Sequence, residues 1–399
     1  MRYIINLPKT IYRKLFPQIS MIYKPQEDTN LILKFIKKYA SGQVLDMGTG
    51  SGILAREALK YTQKVTAVDV NPEAIDYAKA NSDKIIEFKI SNLFQNIKQR
   101  YNLIIFNPPY LPEDKLEDTA SRQITTGGKH GYEVIETFLE QANEYLEDNG
   151  KILLVFSSLT NKDYVDEIIN KCLFQFKLIE TEILPMFEQL YLYQIDKTPL
   201  LKKLNEIKEF RFLNKGHRGY IYTGKFKNKK VTIKLKNPKS KACGRIKNEV
   251  EILKVLNKKK IGPKVLKATN DYFIYDYIDG QFFPQYVKES NKEDIMVVIR
   301  NLFQQCYEMD KLKINKEEMH HPHKHILIKS TPILLDFERA NKSTKPHNVT
   351  QFCQYLSMMK PDLKKKKVFI NITKLRELSR DYKKSYDKKI LGKIINSIL

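Results

Sequence analysis

Residues 44–55 read Val-Leu-Asp-Met-Gly-Thr-Gly-Ser-Gly-Ile-Leu-Ala, an apolar run, three glycines at alternate positions, then apolar residues again. The pattern is a strand, a glycine loop and the start of a helix. Glycine in such a loop lets backbone approach a ligand closely. Nineteen residues after Gly50, a second apolar run, Val65 to Val68, ends in Asp69. A third, Leu103 to Phe106, ends in Asn107-Pro108-Pro109-Tyr110. Ligands of open α/β sheets collect where parallel strands end, and an acidic residue about 20 positions after the glycine loop holds a ribose hydroxyl pair. The spacing here is GxGxG rather than the GxGxxG of a pyrophosphate-binding loop. It suits an adenosyl group that carries no diphosphate.

The tetrapeptide suggests the chemistry. Two consecutive prolines fix φ and remove two backbone donors, leaving carbonyls expected to point outward as unshared acceptors. Asn107 adds a side-chain carbonyl, and Tyr110 a flat ring with a polar tip. Two acceptors beside an aromatic face suit a planar NH2 group: a carboxamide, or the exocyclic amine of adenine or cytosine. Asn-Pro is also a common turn starter, but its position after the glycine loop and Asp69 favours a site. Elsewhere in the first half, helix and strand patterns alternate. A helix spans Leu31 to Tyr39 with Asp28 or Thr29 as its cap, another spans Pro72 to Ala80, and a strand spans Ile85 to Lys89. Ser91-Asn92-Leu93-Phe94 follows that strand and is placed to meet an adenine ring. Residues 111–129 form a substrate-facing loop leading into Gly127-Gly128-Lys129-His130-Gly131. A helix with Val134, Ile135, Phe138, Leu139, Ala142 and Leu146 on one face follows. A strand from Lys151 to Phe156, a helix around Tyr164 to Cys172, and two strands to Ile195 complete the pattern.

On these segments, with Tyr23-Lys24-Pro25-Gln26-Glu27-Asp28-Thr29 before them, residues 20–196 resemble a class I S-adenosylmethionine-dependent methyltransferase. Within that group they resemble the HemK-type family, especially its archaeal and eukaryotic branch. The resemblance implies an α/β Rossmann-like fold with a seven-stranded, mostly parallel sheet. It implies methylation of the glutamine side chain in the Gly-Gly-Gln tip of a peptide-chain release factor, and a small zinc-binding activator protein as partner. Asp46, Gly48, Gly50 and Gly52 would form the cofactor loop, with Gly48 and Gly50 facing the methionine part. Asp69 would hold the ribose, while Asn107, the Pro108 carbonyl and Tyr110 would receive the target amide. The family usually has Asp where Asn92 stands; Asn92 still accepts through its carbonyl, so weaker cofactor binding is expected. Glu27 and Thr29 would line the cofactor pocket or serve as helix caps. An adenine methyltransferase acting on RNA or DNA is the alternative for the same acceptor pair.

Length and charge divide the chain. Its 399 residues suggest two or three domains, and its net charge of +24 is uneven. Residues 1–200 carry 24 Lys+Arg against 26 Asp+Glu, net −2, whereas 201–399 carry 46 against 20, net +26. A basic half points to nucleic acid or phosphates as its partner. Four scattered cysteines without a CxxC pair fit free thiols in a reducing cytoplasm. No apolar run is long enough to span a membrane, and Met1 to Phe16 lacks a signal-peptide core.

In the second half, Gly216-His217-Arg218-Gly219 precedes Val231-Thr232-Ile233-Lys234, and the helix Arg245 to Leu256 offers Glu249 or Glu251. Phe273 to Gly280 is similar to a strand and hinge that contact adenine, and Leu335-Asp336-Phe337 to a metal-binding Asp motif. Residues 205–358 thus resemble an α+β, RIO-like or Bud-type kinase domain. The resemblance implies ATP held by Gly216, Gly219, Lys234 and Glu249, with Mg2+ on Asp336. The catalytic loop departs from that pattern: His320 stands at the Asp position and His325 at the Asn position, with Glu318 offering a carboxylate at a changed spacing. A kinase, a nucleotide-binding pseudokinase and a basic RNA-docking module all remain open. His321, His323 and His325 alternate, but no further His or Cys cluster completes a metal site. The expected organisation is a basic segment (1–22), a methyltransferase domain (23–196), a linker (197–204), the kinase-like domain (205–358) and a basic helical tail (359–399). The tail's Lys364 to Lys367 run makes ribosome or tRNA contact its sharper reading.

Overall fold

Strands that bury both faces build the first half of the molecule. The computed structural model describes residues 23, 25–114, 122, 124–215, 219–236 and 245–398. Its contacts divide the chain into a first unit, Met1–Arg211, and a second, Phe212–Leu399. In the first unit, α1 (Glu27–Tyr39), β1 (Gln43–Met47), α2 (Ile53–Leu59), β2 (Lys64–Asp69), α3 (Pro72–Ala80), β3 (Glu87–Ile90) and β4 (Tyr101–Phe106) come first. They are followed by α4 (Glu133–Tyr145), β5 (Leu146–Ser157), α5 (Lys162–Lys171), β6 (Phe174–Ile183), β7 (Gln189–Lys197) and α6 (Pro199–Lys203). The seven strands form one sheet in the order β3-β2-β1-β4-β5-β7-β6. Strands β3 to β5 pair in parallel and β7 runs antiparallel to both β5 and β6. The chain reverses direction across the sheet between β1 and β4, so a crevice opens at their carboxyl ends.

Helical crossovers cover both faces, which is why the central strands read as unbroken apolar runs. Leu31, Ile32 and Ile36 of α1 pack with Val44, Leu103, Ile105, Leu153 and Val155 on one face. On the other, the buried Phe138 ring of α4 lies 4.4 Å from Phe106 and 5.3 Å from Phe94. Helix α3 starts as its sequence suggests: the Asn71 side chain accepts from the Glu73 amide, and Pro72 takes the first turn, where no donor is needed. Helix α1 does not. It begins at Glu27 with Gln26 as N-cap and no side-chain cap bond, so neither Asp28 nor Thr29 caps it; both are buried within the first turn.

Residues 197–204, expected as a linker, are packed structure. Lys197 is buried and donates to the Asn143 carbonyl at 2.9 Å. Thr198 caps α6 with Pro199 in its first turn, and Leu201 and Leu204 are buried. Thr-Pro reads as a linker in sequence, but it is equally the start of a helix. The boundary between the units falls in β8 (Lys208–Lys215).

The five-stranded sheet of the second unit runs β11 (Val265–Ala268), β12 (Tyr272–Asp276), β10 (Lys229–Lys236), β9 (Gly219–Phe226), β8, with β9 to β12 antiparallel. Helix α7 (Arg245–Asn257) follows β10, and α8 (Phe283–Glu289) leads into the long α9 (Lys292–Lys311) and then α10 (Asn348–Met358). The Phe303 and Phe352 rings of α9 and α10 meet edge-on at 4.9 Å. The expected tail belongs to this core. Helices α11 (Lys360–Lys365), α12 (Ile372–Ser385) and α13 (Lys388–Asn396) bury Leu363, Leu375, Tyr382, Leu391 and Ile394 in the same cluster as Phe303. Tyr382 also donates to the buried Asp310 at 3.1 Å. Lysine count masks an apolar stripe at helical spacing. No helix among the described residues is long and apolar enough to cross a membrane.

Phe138→Ala removes the ring that joins β4 to α4, and a loss of about 3–5 kcal/mol is expected for a fully buried phenylalanine. Urea unfolding of the full chain, followed by a probe in the first unit, measures it; a loss below about 1 kcal/mol would show that the site collapses freely.

Candidate functional site

The glycine loop is held from below. Asp46, at the end of β1, is fully buried, and its Oδ2 accepts from the Thr49 hydroxyl at 2.6 Å and the Ala55 amide at 3.0 Å. These bonds tie the loop to the first turn of α2. Burial pushes the Asp46 carboxyl up to about 7 against both bonds. Gly48, Gly50 and Gly52 all take left-handed φ, from 51° to 78°, which other residues adopt only at a cost. An ideal Cβ on Gly48 would meet nothing closer than 3.7 Å, whereas one on Gly52 would stand 2.9 Å from the Ala78 methyl. Gly52 therefore lets α2 approach α3. Asp69 accepts from the Gly50 amide and the Asn71 amide, both at 2.9 Å, and burial raises its carboxyl.

A cavity of about 1000 Å³ opens at these strand ends. Of the predicted residues, Glu27, Thr29, Gly48, Gly50, Asp69, Asn92, Asn107, Pro108 and Tyr110 line it together. Asp46 and Gly52 do not line it: the first lies beneath the loop and the second faces α3. Asn107 is oriented by its neighbour. Its Nδ2 donates to Thr29 Oγ1 at 3.3 Å, while its Oδ1 is buried and finds no hydrogen-bond partner.

The carbonyls after Asn107 are not all free, as the prolines had suggested. Gly127 is buried against Pro109, whose carbonyl would lie 2.5 Å from a Cβ on that glycine. Gly131, at φ 87°, is pressed against the Tyr110 carbonyl in the same way, and Thr160 donates to that carbonyl at 2.8 Å. Among the described residues none donates to the Pro108 carbonyl. The Gly127 to Gly131 turn thus packs on the tetrapeptide because it lacks side chains. Of the expected substrate-facing loop, 115–121 and 123 lie outside the described residues. The described part pairs with the strand end through Leu111 N to Thr125 O and Gly127 N to Leu111 O, both 2.9 Å.

Asp28 is the residue that sequence reasoning missed. Its Oδ2 accepts from Tyr23 at 2.6 Å and from Tyr110 at 3.0 Å. Burial, with Asp28 beside it, pushes the Tyr110 phenol well above its usual range, so the ring keeps its proton. A run reading Glu-Asp-Thr before a helix gives the signal of a cap, and nothing local distinguishes a buried acceptor from one.

In the second unit, Gly216 lies outside the described residues, and Gly219 opens β9. Lys234 of β10 is buried, with its Nζ 2.7 Å from Glu249, 3.0 Å from Asp336 and 3.5 Å from Glu338. Glu249 of α7 is buried whereas Glu251 is exposed, which selects the first of the two expected partners. Burial alone would discharge Lys234, but these carboxylates hold its ammonium above the usual range. Burial alone would likewise raise Asp336, yet Lys234 and Lys316 hold it well below the ordinary carboxylate range. Asp336 sits at φ 58°, a left-handed conformation that costs a non-glycine residue of order 1 kcal/mol or more. The fully buried Lys316 donates to its main-chain carbonyl. Nothing in the sequence sets Lys316 apart from dozens of other lysines. His320 is half-buried, with its ring on the Glu317 carbonyl, and Glu318 stands 3.8 Å from Lys316. Among the described residues no three His, Cys, Asp or Glu side chains converge as a preformed metal site.

Comparison with known proteins bears on the first unit. Residues 24–182 match the family model of the methyltransferase small domain. A candidate protein N5-glutamine methyltransferase of Methanocaldococcus jannaschii is 37% identical over 164 residues, 40% of this chain and 80% of that protein. A release factor glutamine methyltransferase of Koribacter versatilis is 33% identical over 138 residues, 31% of this chain but only 49% of that protein. A solved structure of the bifunctional kinase-methyltransferase WbdD aligns with 93% of this chain and 88% of its own. Its identity is 13% and its TM-score 0.41. The family model falls on the unit that holds the glycine loop and the Asn107 cavity, and the Methanocaldococcus protein is matched over four fifths of its own length. The first unit is therefore an S-adenosylmethionine-dependent methyltransferase, and the chain belongs through it to the HemK-type protein N5-glutamine methyltransferase family.

Proposed function

We propose that the first unit methylates the side-chain nitrogen of a glutamine in a peptide-chain release factor. The observation that carries this reading is the buried, unpartnered Asn107 Oδ1. A buried carbonyl without a donor costs free energy, about 1–3 kcal/mol, and an arriving N–H removes that cost. Because Thr29 holds the Asn107 NH2, the carbonyl is the end presented to substrate. With the Pro108 carbonyl it forms the acceptor pair for a planar amide NH2. An amide nitrogen is a poor nucleophile because its lone pair is delocalised. Accepting both of its N–H bonds favours the pyramidal geometry in which the lone pair is available.

The cavity fits the cofactor: the loop at Gly48 leaves open the space a Cβ would take, and Asp69 stands at the position for ribose hydroxyls. S-adenosylmethionine supplies an activated methyl group on a sulfonium. The chain's task is alignment, which accounts for ~7–11 kcal/mol of a barrier when reacting atoms are held in line. With the cofactor bound, the Asn107 and Pro108 carbonyls would hold the amide nitrogen in line with the methyl group, which would pass from sulfur to nitrogen as the C–S bond gives way to an N–C bond, and the amide proton would leave to solvent. Tyr110 keeps its own proton on Asp28, so it frames the amide and takes no proton from it. The net charge of −2 on residues 1–200 favours a protein substrate over nucleic acid. We place the small zinc-binding activator protein at β3, one of the sheet's two edge strands, beside the exposed Ile85 and Ile90.

For the second unit we propose a kinase-like, nucleotide-binding site with ATP and Mg2+. What supports it is the buried Lys234 between Glu249 of α7 and Asp336. Such a lysine pairs phosphates while a helix glutamate holds it in place. RNA or ribosome contact falls to the exposed Lys364, Lys365 and Lys367, held at the surface by the buried Leu363 and Val368.

Labelled S-adenosylmethionine, offered with a release factor whose tip glutamine is intact or changed to alanine, should label the first protein alone. Label on RNA or DNA instead would support the adenine reading and sink the glutamine one. Asn107→Ala should lower transfer by about 10²-fold or more, as for loss of one positioned polar group, while cofactor affinity stays within a few-fold. Turnover unchanged by that substitution would remove Asn107 from the site. Lys234→Met should weaken ATP binding about tenfold or more in equilibrium titration, with methyl transfer unaffected; equal ATP affinity would count against the nucleotide site.

A further inference from the structure

Two side chains of the second unit face each other without bonding. Strands Ile326–Ile328 and Pro332–Leu334 pair antiparallel, and just beyond them the Leu335 amide donates to the His325 carbonyl at 2.7 Å. That bond sets His325 beside Asp336. The ring Nε2 then stands 3.9 Å from Asp336 Oδ2, too far for a hydrogen bond. The other carboxylate oxygen is engaged by Lys234 at 3.0 Å, and Lys316 holds the Asp336 main-chain carbonyl. Oδ2 is thereby aimed at the imidazole. On the far side of the ring, Nδ1 is buried without a partner. Both side chains keep solvent access, His325 at 24% and Asp336 at 41%, so an ion from solution can reach the gap.

Two ligands of one divalent ion, each about 2.1 Å from it, stand about 3 Å apart at a right angle and further apart at wider angles. The 3.9 Å between His325 Nε2 and Asp336 Oδ2 already falls within that span, at a wide angle. We propose that His325 and Asp336 together bind the divalent cation that carries the nucleotide's phosphates, and that the imidazole makes this a site for Mn2+ in preference to Mg2+. The inference rests on the nucleotide-binding reading of this unit. Mg2+ keeps to hard oxygen ligands in strict octahedral geometry, whereas a first-row transition ion accepts imidazole and carboxylate together. Phosphate oxygens and water complete the coordination, so two protein ligands suffice and no three-residue cluster is needed. Lys234, Lys316 and Arg339 surround the pair and oppose a bare cation. The ion is therefore expected to bind well only together with the anionic nucleotide.

The test uses the full chain with ATP. Isothermal titration in Mn2+ should give an ATP affinity about tenfold or more above that in Mg2+, and His325→Asn should bring the two within a few-fold. Pulsed electron paramagnetic resonance of the Mn2+·ATP complex, with protein labelled with ¹⁵N-histidine, should show coupling to an imidazole nitrogen that vanishes in His325→Asn. Equal affinity with both ions, or a Mn2+ preference without histidine coupling, overturns the inference and leaves the nucleotide site standing. No ATP binding with either ion overturns both.

Discussion

A carboxylate removed from water organises the catalytic end of the first unit. Asp28 is 3% exposed, and a buried charge is tolerated only when its oxygens are well supplied with donors. Here the phenols of Tyr23 and Tyr110 supply one oxygen, and the Thr29 amide and hydroxyl the other. The consequence reaches the reaction centre. Tyr110 ends the tetrapeptide, so its bond to Asp28 fixes the angle at which Asn107 and Pro108 face the cavity. Thr29, held by the same carboxylate, in turn holds the Asn107 amide. One buried acid thus couples the start of α1 to the tetrapeptide after β4, its bond to Tyr110 spanning 82 positions of the chain.

Rigidity is added by absence. Gly127 and Gly131 pack directly against the Pro109 and Tyr110 carbonyls, at separations no side chain would allow. Below, Asp46 anchors the cofactor loop without touching the cavity. Residues that line the cavity and residues that hold the loop from beneath, such as Gly48 and Asp46, are therefore neighbours in sequence. That division suits an enzyme whose contribution is alignment, since small displacements at the reacting atoms are costly. In the second unit the equivalent constraint is electrostatic: Lys234 keeps its charge in a buried setting only because Glu249, Asp336 and Glu338 surround it. Asp336, one of the three carboxylates on Lys234, holds a left-handed backbone, and strain of that kind concentrates at ligand sites.

The succession of strands and helices, the glycine loop, Asp69 and the tetrapeptide were legible from the chain because each is a local pattern. Apolar runs, glycine spacing and proline pairs act through the residues that carry them and their immediate neighbours. Helix α3 was equally plain, since Asn71 and Pro72 form its start by themselves. Where the reading went astray, local chemistry offered two outcomes and distant contacts chose. Glu-Asp-Thr makes a helix cap unless phenols from elsewhere claim the acid. Thr198-Pro199 makes a linker unless Leu201 and Leu204 find a core. The lysine-rich residues 359–399 make a solvated tail unless their apolar stripe meets α9 and α10.

By itself, then, the sequence determined the alternation of strand and helix and which strand ends carry polar residues, because these depend on periodicity and backbone preference over a few positions; the seven-stranded sheet was legible only through the family resemblance. Only the tertiary structure decided that Asp28 is a buried hub, that Thr29 engages the Asn107 NH2 and leaves its carbonyl without a partner, and that His325 stands against Asp336. Those facts depend on which groups meet after the chain has closed on itself. Hydrogen bonding and desolvation act over a few ångströms in space, whatever the separation along the chain.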